Sequence, residues 1–497
     1  MLPDLLLLPM NKKITFLLVL FILADIVYSF YQHYYLPHDG DMAPIIVPGF
    51  WYADVLADPF GFNIVTEGKR YAGSNRFFAH WSLGAYFKTV PFLLQKVTGN
   101  MLDSTYLTSA VLRTALQMLL VWLLGAFITG TGKFWKPKFI LAAALVIPLF
   151  QMGGHFYRLS IIGESITYTF FYALSLAVVA LFFLPFYRAY VLKQGFHLNV
   201  FQKILLAGLV LVIPFQGPLN FGVAAIIVPA VLLYFWWQAF KETAGNFFNR
   251  SLTAIFRIPK PVLFYFSALL LVSLYSYYIG THNTENDVAN LVPLGKRYPL
   301  LLWGLNEQLF FGKGMLYGPA YSILFLAILI NVVLLLKKGG PEGKRVVQIL
   351  KWAGILSVFY LALLPLGGYR TYRPYIVETS TFMPVTLVIF FSFGLSCWYV
   401  LRNLNFRLKN VYVGFLVIIA AIFSSAEQPN SVMFDCEREG IKKLAASKEK
   451  FVNLDTWCSV MSWGALTDPY ISETRGQLLH YWGILNEDKT YVTRKDQ

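Results

Sequence analysis

The stretch ITFLLVLFILADIVYSFYQHYYLPHDGDMAPIIVP, from Ile14 to Pro48, decides the fold class. Ile14 to Gln32 is apolar apart from Asp25 and, as a helix rising about 1.5 Å per residue, nearly spans a hydrocarbon layer about 30 Å thick. The chain then passes directly into tyrosines and an acidic knot, His38-Asp39-Gly40-Asp41. Two carboxylates at the mouth of a membrane helix ask for a physical reason.

Composition extends this reading to the whole chain. Of 497 residues, 57% are hydrophobic, 17% aromatic and 13% charged. That leaves too little polar surface to cover a soluble protein of this length. Apolar runs recur, and about eleven spans are expected. They lie near 14–32, 106–129, 139–154, 164–186, 204–216, 220–239, 261–279, 318–336, 352–367, 381–401 and 411–425. The third, fifth, ninth and eleventh are short. The expected fold is an all-α polytopic membrane protein, with a multi-span domain over 1–425 and a small external C-terminal segment over 426–497.

Charge sets the expected orientation. The N-terminus and every second loop carry about 20 Lys and Arg, among them Lys133, Lys136, Arg188, Lys203, Arg250, Lys260, Lys338 and Arg402, against Asp4, Glu242 and Glu342. The net charge of +15 is therefore a topology signal and leaves nothing for a nucleic-acid partner to explain. A cytoplasmic N-terminus and an extracytoplasmic C-terminus follow, and compact loops suggest a bacterial inner membrane. The external side holds a long first loop (about 33–105), a middle loop (about 280–317), the loop GGYRTYRPYIVETS and the tail. Aromatic segments in the first loop read as interfacial helices.

Candidate chemistry sits on that external side. Asp39 and Asp41 straddle Gly40, so both carboxylates can point one way, and partial desolvation there suits a general base. An Asx-turn is the alternative reading of the same four residues. GGHFYRLSIIGES adds His155, Arg158 and Glu164; a carboxylate at a helix N-terminus also has a dipole explanation. Arg370 and Arg373, interleaved with Tyr372, are forked cations suited to phosphate, with Arg297 a weaker candidate and His38 beside the acidic knot. Asp25 and Arg113 lie at similar expected depth within spans, and a salt bridge between neighbouring helices would relieve both. Cys436 and Cys458, in the external tail, can pair as a disulfide, whereas Cys397 reads as a buried apolar residue. No zinc-type spacing occurs.

Together these features resemble the GT-C superfamily of integral-membrane glycosyltransferases. The resemblance covers about 10–425 and rests on layout: one helix, then a long external loop opening on acids, a second acidic turn between spans three and four, and a late external arginine cluster. It implies transfer of a sugar from a polyprenyl-phosphate carrier to a glycan, lipid or protein acceptor outside the cytoplasm. By it, Asp39 is the first candidate base, Asp41 its neighbour and Glu164 the second acidic position near His155. Arg370 and Arg373 would hold the carrier phosphate. No cofactor is required by this chemistry, although a divalent metal (Mg or Mn) is compatible with it. Where some members have adjacent acids, this chain has Asp-Gly-Asp, which leaves open which aspartate is the base. An O-antigen ligase or polymerase would place its decisive loop late in the chain. A transporter would show broken helices and echoing halves, and a non-catalytic scaffold is the remaining rival.

Overall fold

The computed structural model describes residues 11–151, 161–287, 292–309, 320–367, 375–404, 406–426 and 430–493. Among these, eight helices are long and apolar enough to cross a membrane. They are α1 (Lys12–Tyr34), α6 (Met101–Thr129), α8 (Ile166–Val191), α10 (Asn220–Glu242), α12 (Lys260–Gly280), α14 (Ala320–Lys338), α15 (Gly340–Gly367) and α16 (Thr379–Asn403). Three shorter apolar helices join them: α7 (Pro137–Phe150), α9 (Val200–Phe215) and α17, which runs from Phe406 to Ser424. The ninth expected span, read as short from 352, is a full-length helix beginning at Gly340. The remaining helices are α2 (Met42–Ile46), α3 (Phe50–Ala57), α4 (Phe62–Glu67) and α5 (Phe77–Thr98) in the first loop, then α11 (Phe247–Phe256) and α13 (Leu294–Leu309). The tail holds α18 (Ser431–Ala446) and α19 (Pro469–Tyr481).

Helix α1 turns the soluble pattern inside out. The buried residues of α1 are all polar: Asp25, Ser29, Gln32 and His33. At spacings of four, three and one they form a single stripe along the helix, and it faces α6 and α7. There Gln117 and Gln151 both donate to the Ser29 hydroxyl, at 2.9 and 3.1 Å, and His33 Nδ1 lies 2.9 Å from Thr114 Oγ1. Phe16, Leu17, Leu20 and Leu23 of α1 face outward, where hydrocarbon is as good a solvent as a protein core.

That stripe corrects one expectation. Asp25 and Arg113 form no salt bridge; the side chains that act on the Asp25 carboxyl are Gln151 and Ser29. The reason is register. Gln117 on α6 is level with Ser29 on the antiparallel α1, so Arg113 stands one turn above that level and Asp25 one turn below. Two turns separate them by about 11 Å along the axis. The equal-depth expectation failed because α6, which begins at Met101, projects well beyond the end of α1 at Tyr34.

The tail amends the all-α expectation with one small parallel sheet, β1 (Phe451–Leu454) beside β2 (Thr490–Thr493). Parallel strands need a crossover, and α19 supplies it. Gly476 of α19 makes that packing tight, because a Cβ there would come within 1.8 Å of the Lys489 carbonyl oxygen. The tail shares its core with the first loop: Met42, Ile46, Leu83, Phe87 and Tyr106 cluster with Phe434, Ile441, Leu478, Trp482 and Tyr491. Cys436 and Cys458 are joined in a disulfide within this unit.

Candidate functional site

The acidic knot is an Asx-turn carried further than the turn requires. Asp39 Oδ1 accepts from the backbone N–H groups of Asp41 and Met42, both at 3.0 Å, which starts α2. It also accepts from Thr167 Oγ1 at 2.8 Å, while Oδ2 accepts from Ser165 Oγ and from the Thr167 N–H, each at 2.9 Å. Ser165 caps the N-terminus of α8, so Asp39 ties the first loop to that helix. With five donors and 5% exposure, this carboxylate has little room to accept a proton from a substrate.

Asp41 differs. It is half-buried. Burial and then the neighbouring Asp39 push its carboxyl up to about 6, and the Trp463 indole and Arg475 pull the other way. A carboxylate that titrates near neutrality and reaches the surface can take a proton from a hydroxyl. Gly40 between the two acids is required by space, since a Cβ would sit 2.6 Å from Trp463 Cδ1 and 2.8 Å from Trp463 N.

Two buried tail residues that sequence reading did not single out lock this arrangement. Glu437, fully buried, accepts from the His38 N–H (2.9 Å), the Tyr106 hydroxyl (2.7 Å) and the Met461 N–H (2.9 Å). Burial dominates and raises it to about 7. Arg475 donates to the carbonyls of Gly40 (2.9 Å), Met461 (2.6 Å) and Ile471. A signal existed for Glu437: it lies three residues after Phe434 and four before Ile441, on the apolar face of α18. Nothing local marks Arg475, whose partner Gly40 is 435 residues away.

A second polar group borders the first loop. Arg76 pairs with Glu285 at 2.8 Å, and the Tyr52 hydroxyl donates to the same carboxylate at 3.2 Å. His80 packs against Tyr52 with ring centroids 4.7 Å apart. It is buried, without a hydrogen-bond partner on either ring nitrogen, and held down to about 3 by burial and by Arg76. These contacts join the first loop to the middle one.

The other expected site residues divide. His155, Arg158, Arg370, Tyr372 and Arg373 lie outside the described residues. The Glu164 side chain is exposed, and its backbone carbonyl accepts from Arg113 Nη2. Arg113 is 1% exposed, and its electrostatic partners are Asp39 and Glu164. His38 points inward, with Nε2 3.0 Å from Thr105 Oγ1 and its ring stacked on Tyr106; burial and Arg113 lower it to about 3, so it is neutral. Arg297 donates to the carbonyls of Val292 and Pro365, tying α13 to the end of α15. Among the described residues no three His, Cys, Asp or Glu side chains gather closely enough to hold a metal ion.

Comparison with protein-family models, with curated proteins and with solved structures gives no match to this chain.

Proposed function

We propose that this protein is an eleven-span membrane glycosyltransferase of the GT-C type. It moves a sugar from a polyprenyl-phosphate carrier to an acceptor hydroxyl on the extracytoplasmic face of a bacterial inner membrane. The observation that carries the reading is Asp41: a half-buried carboxylate, raised to about 6, at the mouth of the first membrane helix. Asp39 was the first expectation for the base, but its oxygens are occupied by the turn, so the role passes to Asp41.

In this reaction Asp41 takes the proton of the acceptor hydroxyl as that oxygen attacks the anomeric carbon. The bond from that carbon to the carrier phosphate breaks on the opposite face, its electron pair leaves with the phosphate, and configuration inverts. Cations placed where charge builds on the leaving phosphate lower the barrier. Arg158, Arg370 and Arg373, with Tyr372, are proposed for that role on sequence grounds. Asp39 shapes the turn that presents Asp41, and Glu164 contributes its charge at the head of α8. A phosphate monoester can leave with cationic help alone, so a divalent metal is not a required part of this scheme.

The test is sugar release from a panel of polyprenyl-phosphate sugars by purified wild type, Asp41→Asn and Asp39→Asn, with and without EDTA. Asp41→Asn is expected to lose at least about a hundredfold in rate, the size of a general-base contribution, at unchanged Tm. Asp39→Asn is expected to lose both stability and rate. Equal rates for Asp41→Asn and wild type would remove Asp41 as the base. No release from any donor would move the reading to a ligase acting on a preassembled glycan, or to a transporter.

A further inference from the structure

The loop between β1 and α19 is held in a conformation its sequence resists. Met461 has φ of 47°, in the left-handed region that a side chain with a Cβ avoids. Such a residue persists only where its surroundings over-determine it. They do so here. The Met461 N–H donates to Glu437 Oε2 at 2.9 Å and its carbonyl accepts from Arg475 Nε at 2.6 Å, while the side chain is fully buried. Two buried charged groups therefore fix one strained residue, and two positions on the chain turns outward as Trp463.

Trp463 is placed at the acidic turn and yet left open. Its backbone and ring edge lie against Gly40. Its ring is 5.6 Å from that of Tyr168, inclined at 40°, and Tyr168 in turn meets Tyr172 edge-on at 5.3 Å. Even so, Trp463 is 56% exposed. A large apolar ring normally gains by burial. A ring fixed by a strained backbone beside a carboxylate, with more than half its surface uncovered by the protein, is shaped for a ligand with both an apolar face and hydroxyls. A pyranose ring has that chemistry: its axial C–H groups form an apolar face that stacks on an indole, and its rim carries hydroxyls for a carboxylate.

We infer that Trp463, backed by Tyr168 and set beside Asp41, is a carbohydrate-binding platform, and that the acceptor is itself a glycan whose terminal pyranose stacks on the indole. This rests on the function proposed above in taking Asp41 as the base; sugar binding at the platform does not depend on it. Glu437 and Arg475 are positioning residues, acting through Met461. The tail thereby gains a role: it brings the acceptor to the turn.

The experiment uses the full chain in nanodiscs, because maltoside detergents would compete with a glycan. Fluorescently labelled wild type, Trp463→Phe, Trp463→Leu and Trp463→Ala are applied to a printed glycan array. Wild type and Trp463→Phe are expected to retain one related set of glycans. Trp463→Leu and Trp463→Ala are expected to bind that set about tenfold more weakly, the size of one aromatic contact, at unchanged Tm. Leucine supplies bulk without a ring face, so a purely packing role would leave Trp463→Leu like wild type. Binding by Trp463→Leu equal to wild type, or no glycan bound by wild type, overturns the inference. Donor hydrolysis is measured on the same samples. Hydrolysis without glycan binding sinks this inference alone, and Trp463-dependent binding with no donor turnover sinks the proposed reaction alone.

Discussion

Asp39 and Asp41 are chemically identical and two residues apart, and what their oxygens touch separates them. Asp39 is saturated by backbone and hydroxyl donors from two elements. Removing it leaves at least the buried Thr167 N–H and the start of α2 unmet, each at about 1–3 kcal/mol. Asp39→Ala is therefore expected to lower Tm strongly and Asp39→Asn more mildly, because an amide oxygen still accepts on one side; differential scanning fluorimetry orders the three proteins. Glu437 carries a pH signature. Its folded value near 7 lies above an ordinary 4.5, so the folded state binds a proton more tightly than the unfolded one. Its contribution is then fully present below pH 4.5 and lost as pH rises to about 7, on the order of 3 kcal/mol. Glu437→Gln is expected to be less stable, since one amide nitrogen now faces a donor, and to flatten the fall in Tm between pH 5 and 7.5. A wild-type slope retained in the variant assigns the titration elsewhere.

At the scale of elements, the loop 456–466 and the acidic turn are one unit joined through Arg475. Its guanidinium reaches three carbonyls, one in the acidic turn, one in the tail loop and one in its own helix, which a lysine ammonium on a flexible stem does not reproduce. Arg475→Lys is expected to speed proteolytic cleavage within the tail at unchanged expression, and cleavage no faster than wild type would show the fork to be dispensable. Much of the element layer was legible beforehand. The polar stripe of α1 could be read from Asp25, Ser29, Gln32 and His33, and long apolar runs announced the helices around them. Helix register was not, because nothing local shows that Gln117 stands level with Ser29, which sets Arg113 and Asp25 two turns apart. The acidic knot was legible as a place, with an Asx-turn among its readings. Which aspartate forms the turn depended on Ser165 and Thr167, more than a hundred residues away, and on a tail folded back over Gly40.

For the whole molecule the ordering quantity is the separation of charge along the bundle. Between Glu164 and Glu285 the only acid is Glu242, while Arg188, Lys193, Lys203, Lys241, Arg250, Arg257 and Lys260 all fall there. None of these cations has a carboxylate partner among the described residues. The acidic turn, the Arg76–Glu285 pair and the tail all lie at the other end of the helices. Unpaired cations at one end are what holds such a chain in a cytoplasmic orientation on that side, and the proposed reaction needs the acidic end outside. The native cysteines make this simple to check. Cys397 is buried and Cys436 is bonded to Cys458, so the described chain offers no accessible thiol of its own. Ala465→Cys, on the exposed tail loop, is expected to react with a membrane-impermeant maleimide in intact cells. Lys136→Cys, exposed at the basic end, is expected to react only after the membrane is permeabilised. The reverse pattern would put Asp41 and Trp463 in the cytoplasm, where the acceptor would have to be made and the carrier sugar to face inward, and transfer outside the cell membrane would have to be abandoned.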